Sequence, residues 1–292
     1  MKAEVKLGEQ VYSAQLSAGH SIARTTSVTH GKGFDLSSIE SESATYQAGE
    51  FIGAVSAGGS CNVSVLKINP HCCGTHTETV LHILSADDIA QLPTIDEIVP
   101  TGLQLALLLS VETSTDSDAS RFNEDFTAHV ADGDRLVTAR NIVLALASAR
   151  HHRPSDFSAW DGAEEKTLVL RIASDDPSQK TAPWSFSSED SPPYFTADAI
   201  ELLNQHRVKH LLVEFPSIDR MDDGGALRNH HLFWNLNRQS KSLNSAWPSK
   251  TITEMIEVPE SLQDGIYLLS LQTPPVRSDA MLSQPVLFKL VD

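Results

Sequence analysis

The second half of the chain alternates between segments typical of strands and segments typical of helices. In EEKTLVLRIAS, Leu168, Leu170 and Ile172 recur at every second residue, which is the spacing of one face of a β-strand. The following TADAIELLNQHRV places apolar residues near helical spacing, with Thr196 as the candidate N-cap. KHLLVEFPSID then predicts a buried strand that runs into a turn. This alternation predicts an α/β fold.

Other segments extend this pattern toward both ends of the chain. NVSVLKINPH alternates apolar and smaller or polar residues up to Pro70, which predicts a strand, whereas TARNIVLALAS is compatible with a strand or a helix. GALRNHHLFWNLN predicts a helix, while SLQDGIYLLSLQ and QPVLFKLV predict two closing strands. The length predicts one domain over residues 1–292. Inserted polar loops are expected near 112–128, 174–193 and 238–250.

Charge and hydropathy exclude several classes of partner. The formal net charge is −16, which argues against nucleic acid because such binding relies on clustered Lys and Arg. The longest apolar stretch, GLQLALLLSV (Gly102–Val111), is too short to cross a bilayer. The N-terminal MKAEVKLGEQ lacks the apolar core of a signal peptide. We therefore expect a cytoplasmic protein with no membrane partner.

The stretch NPHCCGTHTETVLHIL (Asn69–Leu84) concentrates groups that bind metals. It holds three His, two adjacent Cys and one Glu, which are ligand types that suit zinc. On an extended segment His76 and Glu78 point to the same side, and Cys72 and His82 share their parity. This spacing is compatible both with a metal site and with a solvated polar turn. We assign Cys61 and Cys73 to packing.

The segment CGTHTETVLH within this stretch resembles the signature of the cyclase family of metal-dependent hydrolases, to which kynurenine formamidase-like proteins belong. That signature reads His-x-Gly-Thr-His-x-Asp-x-Pro-x-His. Gly74, Thr75, His76 and His82 match it. Glu78 stands in place of the Asp and Val80 in place of the Pro, while Cys72 occupies the position of the first His and His71 precedes it.

Four further segments resemble family stretches in the same order along the chain. They are GFDLS (Gly33–Ser37), EFPSIDRMDDGGALRNHHLFWN, TITEMIEVPES and DGIYLLSLQTPPVRSDAMLSQPVLFKL. The resemblance therefore runs, with gaps, from about Phe34 to the C-terminus. It identifies the chain as a divergent member with a swivelling β/β/α fold, in which helices pack outside mixed sheets.

The resemblance also implies a set of metal ligands. Carried over residue by residue, the ligands of one or two divalent ions are Cys72, His76, Glu78, His230 and Glu254. The alternatives are His71 for Cys72, His231 for His230 and Glu257 for Glu254. Zinc is the expected metal and manganese the alternative, because a thiolate at Cys72 would favour zinc. Asp219 and Ser217 are candidate partners that hold a ligand histidine.

The activity implied by the resemblance is hydrolysis of an amide, cyclic amide or ester bond by a metal-activated water, similar to that of an arylformamidase. Glu78 would help to set the geometry of the metal, and His82 would transfer a proton to the leaving group. A small-molecule substrate and a homodimer or homotetramer are expected. Two alternatives stay open: a non-catalytic metal- or ligand-binding relative, and a hydrolase that uses Cys72 or Cys73 as nucleophile.

Overall fold

A mixed sheet organises the part of the chain that the computed structural model describes, which comprises residues 1–26, 41–85, 92–115, 130–131, 133–173, 191–236 and 247–291. The GFDLS segment and the central parts of the three predicted loops lie outside these residues. The strands are, in chain order, β1 (Lys2–Leu7), β2 (Gln10–Gln15), β3 (His20–Ser21), β4 (Glu42–Thr45), β5 (Gln47–Ala48), β6 (Phe51–Ile52), β7 (Ser64–Lys67), β8 (His76–Glu78), β9 (Gln104–Val111), β10 (Ser114–Thr115), β11 (Arg135–Val137), β12 (Lys166–Ile172), β13 (Tyr194–Phe195), β14 (Val208–Val213), β15 (Thr251–Glu254), β16 (Gly265–Gln272), β17 (Ala280–Leu282) and β18 (Gln284–Val291).

The main sheet contains eleven of the described strands. Ten of them follow the order β1-β2-β18-β16-β9-β12-β14-β15-β8-β17, and β3 pairs with β18. Strands β9, β12, β14 and β15 are parallel to one another, whereas β8 pairs with both β15 and β17 in the antiparallel sense. Smaller sheets join β10, β11 and β13, β4 with β7, and β5 with β6. The expected mixed α/β architecture is therefore confirmed.

Both faces of the main sheet are covered, which is the usual condition of parallel strands. Along β9, Leu107 and Leu109 face one apolar cluster, while Ala106 and Leu108 face another. The first cluster receives side chains from the larger helices, such as Phe157. The described helices are α1 (Ile95–Ile98), α2 (Ala139–His152), α3 (Pro154–Asp161), α4 (Ala197–Gln205) and α5 (Arg228–Phe233), with 3-10 turns at Val55–Ala57 and Val80–Ile83.

Most of the segment predictions are confirmed, and the ambiguous one is resolved. The strands predicted in the second half appear as β12, β14, β16 and β18, and TARNIVLALAS forms part of α2. A capping box between Thr138 and Asn141 begins that helix. The apolar GLQLALLLSV contains β9, a central strand of the sheet. Among the described residues, no helix combines the length and the apolar character needed to cross a membrane.

The predicted helix after Gly224 and Gly225 begins later than its sequence suggests. Both glycines have positive φ, at +68° and +74°, so they form a turn rather than the first residues of the helix. The Asp223 carboxylate accepts hydrogen bonds from the backbone N–H groups of that turn, including Gly225 at 2.7 Å. Helix α5 consequently begins at Arg228.

Candidate metal centre

Strand β8 places two potential ligands on one face of the main sheet. His76 pairs with Glu254 on β15, and Glu78 pairs with Ile252. Directly paired residues on neighbouring strands project from the same face, so His76, Glu78 and Glu254 share that face. Thr77 lies on the opposite face, where its hydroxyl is 2.8 Å from that of Thr253.

The Gly-Thr step before β8 is a tightly packed turn. A Cβ at Gly74 would collide with the hydroxyl of Thr26, which explains why glycine is needed at this position. The Thr75 hydroxyl donates to the carbonyl of Met255 and accepts a hydrogen bond of 2.7 Å from the Arg24 N–H. These contacts anchor the turn against the residue that follows Glu254.

Helix α5 delivers His230 to the same face, and Asp219 holds it there. The Asp219 carboxylate accepts hydrogen bonds from the N–H of Asn229 at 2.8 Å and from that of His230 at 3.2 Å. It also lies 2.6 Å from His230 Nδ1. Asp219 thus both stabilises the helix N-terminus and orients the imidazole, as the sequence led us to expect for a ligand histidine.

His76, Glu78, His230 and Glu254 form one buried cluster, each with at most 4% of its surface exposed. His230 Nε2 lies 2.9 Å from Glu78 Oε1 and 3.8 Å from Glu254 Oε1. His76 Nε2 lies 3.6 Å from Glu254 Oε2. Two imidazoles and two carboxylates therefore converge from β8, β15 and α5.

Two atoms of this cluster, His76 Nε2 and Glu78 Oε2, are buried without a hydrogen-bond partner. Buried polar atoms are normally hydrogen-bonded, so an exception needs a physical reason. Both atoms are of types that commonly bind metals. This region holds three candidate groups of three residues, and within each group the ligand atoms lie within 4.8 Å of one another. A divalent ion would satisfy both atoms, so the donor set fits the metal that the motif predicts.

The buried charges in the cluster stabilise one another. Burial would lower the pKa of His230, but the charge of Glu78 and hydrogen bonds with Asp219 and Glu78 outweigh burial and raise it well above its usual value. Burial would raise the pKa of Glu78, yet the charges of His230 and His82 hold it well below its usual value. Without a metal, Glu78 is therefore an ionised carboxylate paired with a protonated His230, and a bound cation would take the place of the His230 proton.

A more exposed group of three residues forms the rim of the cluster. The rings of His71 and His82 stack with their centroids 4.2 Å apart. Asp279 Oδ2 lies 2.9 Å from His71 Nε2 and 3.8 Å from His82 Nδ1. Burial opposes the charged form of His71, but the hydrogen bond with Asp279 and the nearby carboxylate of Glu78 outweigh it and raise the pKa of His71 to about 10.

The structure brings together His76, Glu78, His82, His230 and Glu254. Cys72 Sγ lies 3.3 Å from Asn69 Nδ2 and belongs to none of the candidate ligand groups among the described residues, whereas His71 belongs to two of them. The shared parity of the motif fails as an argument because only His76–Glu78 is extended. Residues 70–75 form turns and bends, and His82 lies on a 3-10 turn.

The remaining alternatives also have definite positions. Glu257 is exposed, with its N–H bonded to the carbonyl of Ile22. In the described part of the chain Glu257, His231 and Glu254 all lie outside the candidate ligand groups, but Glu254 is close to His76 and His230. Cys73 is buried, as the packing assignment requires. The same assignment for Cys61 is wrong because Cys61 is exposed on the segment between β6 and β7.

The sequence analysis did not predict Asp279, which is the residue just before β17. Its position depends on the pairing of β17 with β8, where Ala280 is opposite Glu78. A short polar Ser-Asp step before the apolar residues of β17 is the only local signal, and it does not indicate which strand β17 joins.

Comparison with known proteins agrees with the geometry. Residues 16–220 match the model of the Cyclase family. Among curated proteins, no sequence shows a significant match. The family match ends before His230 and Glu254, so the placement of these two residues depends on the structure.

Solved structures share the fold at low identity. A novel cyclase is 10% identical over 94% of this chain and 90% of that chain, with a TM-score of 0.56. Isatin hydrolase A from Ralstonia solanacearum is 14% identical over 93% and 91%, with a TM-score of 0.55. A predicted metal-dependent hydrolase from Bacillus stearothermophilus is 13% identical over 93% and 98%, with a TM-score of 0.51. Because the family match spans most of the chain, the protein belongs to the Cyclase family.

Proposed function

We propose that this protein is a metal-dependent hydrolase that cleaves the C–N bond of an amide or cyclic amide in a small molecule. The observation that carries the proposal is the buried cluster of His76, Glu78, His230 and Glu254, in which two ligand-type atoms have no hydrogen-bond partner. The names of the structural neighbours, which include isatin hydrolases and a metal-dependent hydrolase, support the same reaction class.

We propose that His76, Glu78, His230 and Glu254 hold the metal together with His71, which replaces Cys72. This set contains imidazole nitrogens and carboxylate oxygens only, which suit zinc and manganese. The preference for zinc that a Cys72 thiolate would bring is therefore absent from the proposed set. When bound, a divalent ion supplies Lewis acidity that polarises a carbonyl and makes water reactive near neutral pH.

The protein side chains supply orientation and proton transfer. Asp219 fixes His230, and His230 in turn fixes Glu78 through the 2.9 Å contact. His82 lies at the rim with 26% of its side chain exposed, where a substrate can reach it. An amide nitrogen is a poor leaving group until it is protonated, so His82 acts as the general acid. Aryl formamides and isatin-like cyclic amides are the substrate classes that we propose.

Metal depletion and restoration test the proposal. Protein treated with a chelator, and then restored with Zn²⁺ or Mn²⁺, is assayed against an N-formyl aryl amide, isatin and a lactone. We expect hydrolysis of at least one amide to disappear on chelation and to return with metal. A Cys72→Ser variant, treated in the same way, serves as the matched control and keeps its activity.

Other results would contradict the proposal. Full activity after chelation, together with loss of activity on thiol alkylation, would indicate a cysteine nucleophile instead. Bound metal without turnover of any amide would indicate a non-catalytic metal-binding relative.

A further inference from the structure

We propose that Asp279 is a positioning residue of the metal centre: it holds the His71 ring so that Nδ1 faces the buried cluster and can bind the ion. The proposal rests on the proposed function, because it concerns the same metal. It explains how a histidine one residue before the motif position can act as a ligand.

The Asp279 carboxylate is itself held in place. The backbone carbonyl of Asp279 accepts hydrogen bonds from Thr79, one from the N–H at 2.9 Å and one from the hydroxyl at 3.0 Å. The Ser278 hydroxyl donates to Asp279 Oδ1 at 2.9 Å. Oδ2 is therefore directed to the histidines, and it lies 2.9 Å from His71 Nε2.

This contact determines which nitrogen of His71 can bind a metal. If His71 binds a metal, its Nε2–H donates to the Asp279 carboxylate, and Nδ1, with its proton displaced by the ion, is the nitrogen that would bind. Nδ1 lies 3.2 Å from Glu78 Oε2, the buried oxygen that has no hydrogen-bond partner. The ring also makes an edge contact with His76, with centroids 5.2 Å apart. His71 Nδ1 thus points to the place where the other ligands converge.

The same carboxylate oxygen also lies near His82, the proposed proton donor. Asp279 Oδ2 lies 3.8 Å from His82 Nδ1, and the His71 and His82 rings are stacked. Loss of Asp279 would therefore lower activity through two routes. A measurement of metal affinity distinguishes these two effects, because only the contact of Asp279 with His71 affects metal binding.

A double-mutant cycle on metal affinity tests the inference. Affinity for Zn²⁺ is measured by competition with a chromophoric chelator for the wild type, Asp279→Ala, His71→Ala and the double variant. We expect Asp279→Ala to weaken binding about 10- to 100-fold, and the double variant to bind no more weakly than His71→Ala. Asp279→Asn should lose less affinity than Asp279→Ala, because its amide oxygen can still accept from Nε2–H.

Asp161→Ala is the matched control, since Asp161 makes a surface ion pair with Arg150, and it should keep the wild-type affinity. Unchanged affinity in Asp279→Ala, or additive losses in the double variant, would overturn the inference while the proposed function stands. Weaker binding in Cys72→Ser but not in His71→Ala would also overturn it. A wild type that binds no divalent ion would overturn the proposed function, and this inference with it.

Discussion

His82 and His230 both lie near Glu78, but their surroundings give them different roles. His230 is buried, with one nitrogen directed to Asp219 and the other to Glu78. His82 is partly exposed, and its Nε2 lies 3.9 Å from Glu78 Oε2. A ligand must be fixed and shielded from water, whereas a proton donor must reach the substrate, so we propose metal binding for His230 and proton transfer for His82.

Replacing His82 should reduce catalysis without removing the metal. In His82→Gln we expect kcat to fall about 10²- to 10⁴-fold, which is the usual contribution of a general acid, while Zn²⁺ affinity changes little. Steady-state kinetics and chelator competition on the same preparations measure the two quantities. A variant that loses metal in proportion to its activity would show that His82 is a ligand.

His210, on β14, should make stability depend on pH. It is buried, its Nδ1 lies 2.8 Å from the Thr251 hydroxyl, and burial lowers its pKa from 6.5 to about 4. The unfolded chain therefore binds a proton between about pH 6.5 and pH 4 that the folded chain does not, so stability falls as pH falls through this window. The difference between the two pKa values corresponds to a loss of about 3 kcal/mol at most in the free energy of unfolding.

Urea unfolding of the wild type and His210→Asn at pH 7.5 and pH 4.5 measures this effect. The asparagine can keep a hydrogen bond with Thr251 but does not titrate, so we expect the variant to lose less stability than the wild type on acidification. Equal losses in the two proteins would mean that His210 is not responsible.

At the scale of elements, the turn before β8 shows why the positions of the candidate ligands could be predicted only in part. His76 and Glu78 were correctly placed on one face because β8 is extended over these residues. The parity argument favoured Cys72 over His71, but the turns and bends at 70–75 remove the alternation on which it depends. The turn geometry is set by Arg24 and Thr26, which are distant in sequence.

Substitution of Gly74 should disturb this turn. A Cβ there meets Thr26, so we expect Gly74→Ala to lower the free energy of unfolding by about 1–3 kcal/mol, the usual cost of overpacking. Among the described residues, apart from its two neighbours in the chain, no heavy atom lies within 4 Å of a Cβ built at Gly102, and Gly102→Ala should change stability by less than about 0.5 kcal/mol. Chemical denaturation of the wild type, Gly74→Ala and Gly102→Ala measures these free energies of unfolding. Equal stabilities would contradict the close packing at Gly74.

At the scale of the whole molecule, the main sheet and α5 bring together residues from distant parts of the chain. Strands β12, β14, β16 and β18 could be predicted because their apolar periodicity is local, whereas the short strands β13, β15 and β17 were not predicted. The order of the strands in the sheet could not be predicted, since the position of β8 between β15 and β17 depends on long-range pairing. His230 and Glu254 were therefore predicted as site residues only through the family resemblance, and Asp279 was not predicted.

The most direct test of the metal centre is the metal content of the purified protein. The wild type, His76→Ala and His230→Ala are incubated with Zn²⁺ or Mn²⁺ and dialysed, and bound metal is measured by elemental analysis, with Cys61→Ala as the control. We predict stoichiometric metal in the wild type and the control, and strongly reduced metal in both histidine variants. A wild type that retains no metal, or histidine variants that retain as much as the wild type, would contradict the account.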